Sequence, residues 1–436
     1  MMRFTTTLFA ALWLAVPAQA VDIQEVTSAR GITAWLVEEP SIPFTAIEIR
    51  FQGGTVLDAP GKEGSVNLMM GLIEEGAADL DAQGFAQRTE ELAANFSFDA
   101  FQDSVSVSAR FLTENRDEAI ALLRDALVEP RFDQDAVDRV RGQVLSIIRS
   151  DSTDPNRIAS QTLAELSFSG HPYASPSNGN LESVSALTRD DIVAAHQGVM
   201  ARDRIFVGAV GDITAEELAV LLDELLGDLP AVGAPFPEET AVALEGGLTV
   251  VPFETPQSVA QFGHSSIERT DPDFFAAFVA NEIFGGSGFQ SRLMNEVRVK
   301  RGLTYGVGSF LVDGDYAERI VGQVASDNDR IADAIEVIKD EWARIADLGV
   351  TEEELEEAKT FLTGAYPLRF DGNGRIAGIL VGMQVDGLPI TYVDTRNDRV
   401  NAITLEDIRR VTKRIYRPDD LHFVVVGQPE GLQAAN

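Results

Sequence analysis

The clearest chemical pair in this chain is Arg298 and Tyr305, seven residues apart in a stretch punctuated by glycine. Gly285-Gly-Ser-Gly-Phe-Gln-Ser-Arg-Leu-Met-Asn-Glu-Val-Arg-Val-Lys-Arg-Gly-Leu-Thr-Tyr-Gly-Val-Gly308 reads as a glycine turn, a short helix, a glycine stop and a strand. Phe289, Leu293 and Val297 recur every four residues and give the helix an apolar stripe. Gly302 stands where a helix C-terminus favours positive φ. Leu303 to Phe310 then reads as a short β-type run, bent at Gly306 and Gly308. Arg298 falls in the last helical turn and Tyr305 early on the strand, so a guanidinium and a phenol can converge across the turn. The same spacing also suits an arginine that complements the helix C-terminus and a tyrosine that packs on a sheet.

The rest of the chain offers no self-sufficient catalytic set. The four histidines, His171, His196, His264 and His422, are never four residues apart, and none shares a short helix face with a carboxylate pair. A zinc site of clustered histidines is therefore not encoded. Cysteine is absent, which excludes disulfides, thiolate ligands and a thiol nucleophile. There is no Gly-x-Ser-x-Gly elbow, and no Lys-Ser/Thr pair follows residues 285–288 to make a phosphate cradle. With 69 acidic against 35 basic residues the formal net charge is −34, which argues against nucleic-acid and anionic-membrane partners. The same charge suits cationic peptides, or simply a well-solvated surface.

The elements that must position the pair come from a duplicated chain. Residues 1–20 carry one positive charge, a short apolar core and a final Ala-Gln-Ala, the pattern of a signal peptide cleaved after Ala20. A soluble, exported, periplasmic protein is expected, its core too long for a single domain. Strands are expected near 33–37, 44–51 and 96–111, and helices over 64–75, 82–94, 114–128, 134–150 and 156–168. Ala186-Leu-Thr-Arg-Asp-Asp-Ile-Val aligns with Ala402-Ile-Thr-Leu-Glu-Asp-Ile-Arg at a shift of 216 residues. At the same shift Arg204-Ile-Phe-Val-Gly-Ala-Val-Gly211 falls on Asp420-Leu-His-Phe-Val-Val-Val-Gly427. This predicts two homologous domains, 21–228 and 248–436, joined by a proline- and glycine-rich linker over 229–247. Strands and helices alternate without a regular βαβ beat, so the class is α+β, each domain a mainly antiparallel sheet packed with helices.

This layout, with Ser291-Arg-Leu-Met-Asn-Glu-Val-Arg-Val-Lys-Arg-Gly-Leu-Thr-Tyr305, resembles the pitrilysin/insulinase-type zinc metallopeptidases, and within them the processing-peptidase branch. The resemblance implies a clam-shell chamber, of which this chain forms half. It implies that Arg298 and Tyr305 face a zinc site across that chamber as catalytic residues, donating hydrogen bonds to a scissile carbonyl or its oxyanion. It also implies that the chain has no zinc of its own. The family's His-x-x-Glu-His helix falls on Gly64-Ser-Val-Asn-Leu-Met-Met-Gly71, where Asn67 and Gly71 replace the histidines and Met70 the glutamate base. The distal glutamate position falls near Ile147. Zinc hydrolysis needs three protein ligands and a base, so the expectation is a non-zinc subunit paired with a homologous zinc-bearing chain. Peptide substrates would be held as an added strand on a sheet edge. Gly285, Gly286, Ser287 and Gly288 match in position a glycine-rich substrate-contacting segment of the family, and also suit a plain helix-entry turn. A catalytically inactive peptide-binding or structural scaffold of the same fold is the alternative outcome.

Overall fold

The computed structural model describes residues 22–286 and 290–432. The expected signal segment lies outside them. Two sheets organise the chain. The first has six strands in the order Gln24–Thr27, Thr33–Glu38, Ile205–Gly211, Phe44–Gln52, Ser104–Leu112 and Asn95–Ala100. The second has five, in the order Val307–Asp313, Glu318–Asp327, Gln257–Ser265, His422–Gly427 and Gly247–Pro252. Each is antiparallel but for one parallel pair. That pair is Thr33–Glu38 with Ile205–Gly211 in the first sheet and Gly247–Pro252 with His422–Gly427 in the second. The exception repeats because the duplication repeats it.

Each sheet has its own core. Ile47, Ile49 and Phe51 alternate along Phe44–Gln52 and are buried with Val105 and Val107 of the neighbouring strand against the first half's helices. In the second half Phe262 packs against Trp342 and Phe423 with ring centroids 5.9 Å and 4.9 Å away. The other faces are covered reciprocally. Helix Pro155–Ser167 of the first half places Ala159 and Leu163 on Val259, Val424 and Val426 of the second sheet. Helix Asn373–Val385 of the second half places Ala377, Leu380 and Met383 on Trp35 and Val210 of the first. Its approach is close: a Cβ at Gly208 would lie 2.5 Å from the Ala377 carbonyl oxygen. Gln384 donates from Nε2 to the Val207 carbonyl at 2.8 Å.

Residues 227–246 carry neither helix nor strand, yet they are tied down along their length. The amide of Ala234 donates to Gly198 O, that of Thr240 to Tyr316 O and that of Ala243 to Ser167 O. Near them Tyr173 donates to the Asp103 carboxylate at 2.7 Å and accepts from the Tyr316 amide at 3.2 Å, stitching the two halves together.

Most expected elements form within a few residues of their predicted ends. The apolar run over 64–75 is an exception, because only Ser65–Met70 is helical and turns follow. Gly71 ends the helix, its exposed backbone bonding to Asn67 O and Met69 O. The run stays buried beyond that point because Leu72 and Ile73 pack into the first core from the turn.

Candidate functional site

Arg298 and Tyr305 line one cleft of about 340 Å³, together with Gly285 and Gly286. Three elements shape it. Helix Phe274–Gly285 ends at its rim, with Gly285 its last residue and Gly286 its C-cap. A Cβ at Gly285 would sit 2.2 Å from Ser309 Oγ, so glycine is what lets the helix end meet strand Val307–Asp313. Gly285 and Gly286 therefore close the preceding helix and are not the entry turn of the next. Ser287 and Gly288 lie outside the described residues, as does Phe289 of the expected stripe.

The segment carrying Arg298 is a π-helix, Met294–Val299. Its wider turn shows in the Lys300 amide bonding to Asn295 O, five residues back. Leu293 and Val297 are buried, as the four-residue spacing required. Gly302 has φ +61° and terminates the segment, its amide donating to Arg298 O. The expected strand from Leu303 begins later, at Val307. Thr304 is the cause: its Oγ1 lies 2.6 Å from Ala325 O and accepts from the Gly306 amide, pulling the chain into a bend. Tyr305 sits on that bend and is 84% exposed, so it is not a sheet-packing residue. A guanidinium and a solvent-facing phenol thus line one opening.

Met294, Phe310 and Gln323 also line the cleft, and sequence reasoning missed them as site residues. Phe310 is 46% exposed, and the sequence shows only an aromatic residue on a β-type run, which does not mark a site. Its strand is the edge of the second sheet. Asn281 satisfies part of that edge, with Nδ2 donating to Ser309 O and Oδ1 accepting from Ser309 Oγ.

The positions of the zinc helix hold no ligand set. Met70 is 1% exposed in the first core, Asn67 is half-buried, and Gly71 has no side chain. Ile147 is 49% exposed on helix Gln134–Asp151. Among the described residues no group of three or more His, Cys, Asp or Glu is placed to hold a metal ion. The donor chemistry of these residues does not fit zinc. The buried acid nearby, Asp58, has a structural task. Its carboxylate accepts from the amides of Gly64 and Val66 and from Ser65 Oγ, fixing the start of the short helix. Burial raises its pKa to about 6 against the pull of those bonds.

The histidines are structural as placed. His264 accepts from Trp342 Nε1 at 3.2 Å, and burial lowers its pKa to about 4. His196 Nε2 bonds to Leu127 O at 2.8 Å.

Comparison with known proteins matches both halves in chain order. Residues 34–179 match insulinase (peptidase family M16), and residues 186–362 match the peptidase M16 inactive domain. A Helicobacter pylori protein named non-peptidase homolog YmxG is 27% identical over 98% of both chains. The mitochondrial-processing peptidase subunit beta of Lentinula edodes is 19% identical, covering 93% of this chain and 90% of that one. Among solved structures, a peptidase M16 inactive domain from Pseudomonas fluorescens superposes with a TM-score of 0.88 at 26% identity, over 95% of this chain and all of that one. With both halves matched and the fold shared along nearly its whole length, this chain belongs to the insulinase family, peptidase family M16, and lacks that family's His-x-x-Glu-His sequence.

Proposed function

We propose that this chain is the non-zinc, substrate-binding and transition-state-assisting subunit of an exported two-chain zinc peptidase. The observation that carries the reading is the shared cleft: Arg298 and Tyr305 open onto one spot, while the zinc positions hold Asn67, Met70, Gly71 and Ile147. A homologous partner with His-x-x-Glu-His would hold the zinc, whose chemistry when bound would be to activate water and polarise a carbonyl. This chain closes the chamber, and Arg298 and Tyr305 donate to the carbonyl oxygen as charge builds on it. The edge of Val307–Asp313, beside Tyr305, takes an extended peptide as an added strand, with main-chain bonds giving tolerance of sequence. A relative named as a processing-peptidase subunit supports the two-chain arrangement. Export, with a mature chain starting at Val21, completes the reading and is checked by the intact mass of the secreted protein.

The test is peptide hydrolysis with added zinc by this chain alone, by the zinc-bearing partner alone and by the two mixed. Only the mixture is expected to cleave. Arg298→Ala and Tyr305→Phe are each expected to lower kcat/KM about tenfold or more, roughly 1.4 kcal/mol of transition-state stabilisation. A partner equally active alone, or variants that match wild type, would establish the scaffold reading, which the name of the Helicobacter relative favours.

A further inference from the structure

A second cleft, of about 620 Å³, lies on the other side of Phe310 and Gly286. Helix Phe274–Gly285, helix Asn373–Val385 and strand Val307–Asp313 form its walls. Three features set it apart. The first is charge. In a chain with 69 acidic residues, Arg269, Arg369, Arg375 and Arg396 converge on this one cleft, against only Glu282 and Asp386. Asp386 pairs with Arg269 at 3.3 Å. No ion pair engages Arg369, Arg375 or Arg396 among the described residues.

The second is Arg396 itself, 6% exposed. Its guanidinium donates to the neutral oxygens of Leu362 O and Asn397 Oδ1, and lies 4.6 Å from the ring centre of Tyr366. Buried charges are normally paired, and among the described residues no carboxylate pairs with this one. The third is the floor. Gly378 and Gly382 stand one turn apart on Asn373–Val385, and a Cβ at either would meet nothing within 4 Å. Glycine inside a helix costs about 1 kcal/mol relative to alanine, and no packing demand explains that cost. Both residues line the cleft, so what their missing side chains preserve is space.

We propose that this cleft binds the C-terminal carboxylate of a peptide ending in an aromatic or large apolar residue. The carboxylate supplies the counter-charge that Arg396, Arg369 and Arg375 lack. The terminal side chain lies over Gly378 and Gly382 against Phe275, Phe278, Ile379 and Tyr392. Binding here requires neither a partner chain nor any role for Arg298 and Tyr305.

The test is calorimetry on the full chain alone, without zinc, using acetyl-Ala-Ala-Ala-Phe with a free carboxylate and the same peptide as its amide. The free acid is expected to bind at least about tenfold more tightly, the scale of one charge-assisted pair, and to weaken as salt rises. The exposed pair Arg369→Gln/Arg375→Gln should remove most of that preference. Gly378→Leu and Gly382→Leu should abolish binding while leaving the melting temperature unchanged or higher, which separates blocking from misfolding. Equal binding of acid and amide, or undiminished binding by the leucine variants, overturns the proposal. Laurate binding as tightly as the peptide acid would overturn its peptide assignment.

Discussion

The two halves of this chain repeat one plan and differ where chemistry would be done. After strand Phe44–Gln52 of the first half, and after its counterpart Gln257–Ser265 in the second, comes a helix that packs in the core. In the first half it is six residues, Ser65–Met70, pinned at its start by Asp58 and buried except at Asn67. In the second it is twelve, Phe274–Gly285, and its end opens onto both clefts. The next helical segment diverges likewise. Ala82–Glu91 is a regular α-helix whose N-cap, Asp81, accepts from the Gly84 amide, whereas Met294–Val299 is a π-helix carrying Arg298. The frame of strands, crossing helices and caps is common to both. The difference teaches that one frame accommodates a short buried helix in one copy and a longer helix ending at two clefts in the other.

That comparison breaks most visibly at the crossing helices. Gly208 and Val424 occupy the same place in the two copies, each under the other half's helix. Asn373–Val385 comes so near that a Cβ at Gly208 meets the Ala377 oxygen at 2.5 Å and Leu380 Cβ at 3.1 Å. Pro155–Ser167 leaves room for a whole valine. Gly208→Val is therefore expected to cost about 3 kcal/mol or more by overpacking, and Val424→Ala about 2 kcal/mol by lost burial. Denaturant unfolding of both variants checks this. Similar, small losses would mean that the helices sit at equal heights on the two sheets.

A smaller effect sharpens the contrast between the seam and the interior. Asp103 faces Tyr173, Asp315 and Arg319 where the halves meet, and burial raises its pKa from 3.8 to about 6, with Asp315 adding to the rise. The folded chain then holds more protons than the unfolded one between pH 4 and 6, so this group's stabilisation is full below pH 4 and is lost as pH rises through 6. Asp103→Asn removes that slope. Relative to wild type the variant is expected to gain on the order of 1–2 kcal/mol between pH 4 and pH 7, read from thermal midpoints at the two pH values. Asp58 has a similarly raised pKa but lies within one half. Its slope stays in both proteins and cancels. A gap that does not move with pH would mean Asp103 is already ionised at the seam.

Much of this frame was legible because it is local. The shift of 216 residues, the threonine-led helices, the strands ending in Gly211 and Gly427, and the missing zinc donors all lie in short segments. The π-helix was not legible: Leu293 and Val297 are four apart, which satisfies an α-helix equally well, and only the backbone reveals the wider turn. Tyr305 was expected on a strand, yet the side chain of Thr304 bonds across to Ala325, over twenty residues away, and bends the chain. The reciprocal crossing of Pro155–Ser167 and Asn373–Val385 depends on faces of helices that look ordinary in sequence. The arginine cleft is assembled from Arg269, Phe278, Arg375 and Arg396, and no window of sequence contains it.

The finest comparison is between the caps, where the two copies are nearly superimposable. Thr188 Oγ1 accepts from the Asp191 amide at 3.3 Å while Asp191 accepts from the Thr188 amide at 2.8 Å. Thr404 and Asp407 repeat this at 3.2 Å and 3.0 Å. Each box satisfies two amides that a helix start leaves without partners. Thr188→Ala and Thr404→Ala should therefore each cost about 1 kcal/mol, alike within a few tenths. The carboxylates differ in their remaining partner: Lys62, from the loop before Ser65–Met70, reaches Asp191 at 2.8 Å, whereas Arg410 of the same helix reaches Asp407 at 2.9 Å. Exposed pairs of this kind contribute about 0–1 kcal/mol, so Asp191→Ala should exceed Asp407→Ala by no more than that. The double variant Thr188→Ala/Thr404→Ala decides how the halves communicate. Two caps with no shared partners should add. A loss beyond the sum would place the coupling in the crossed helices, since those and the seam are what join one sheet to the other.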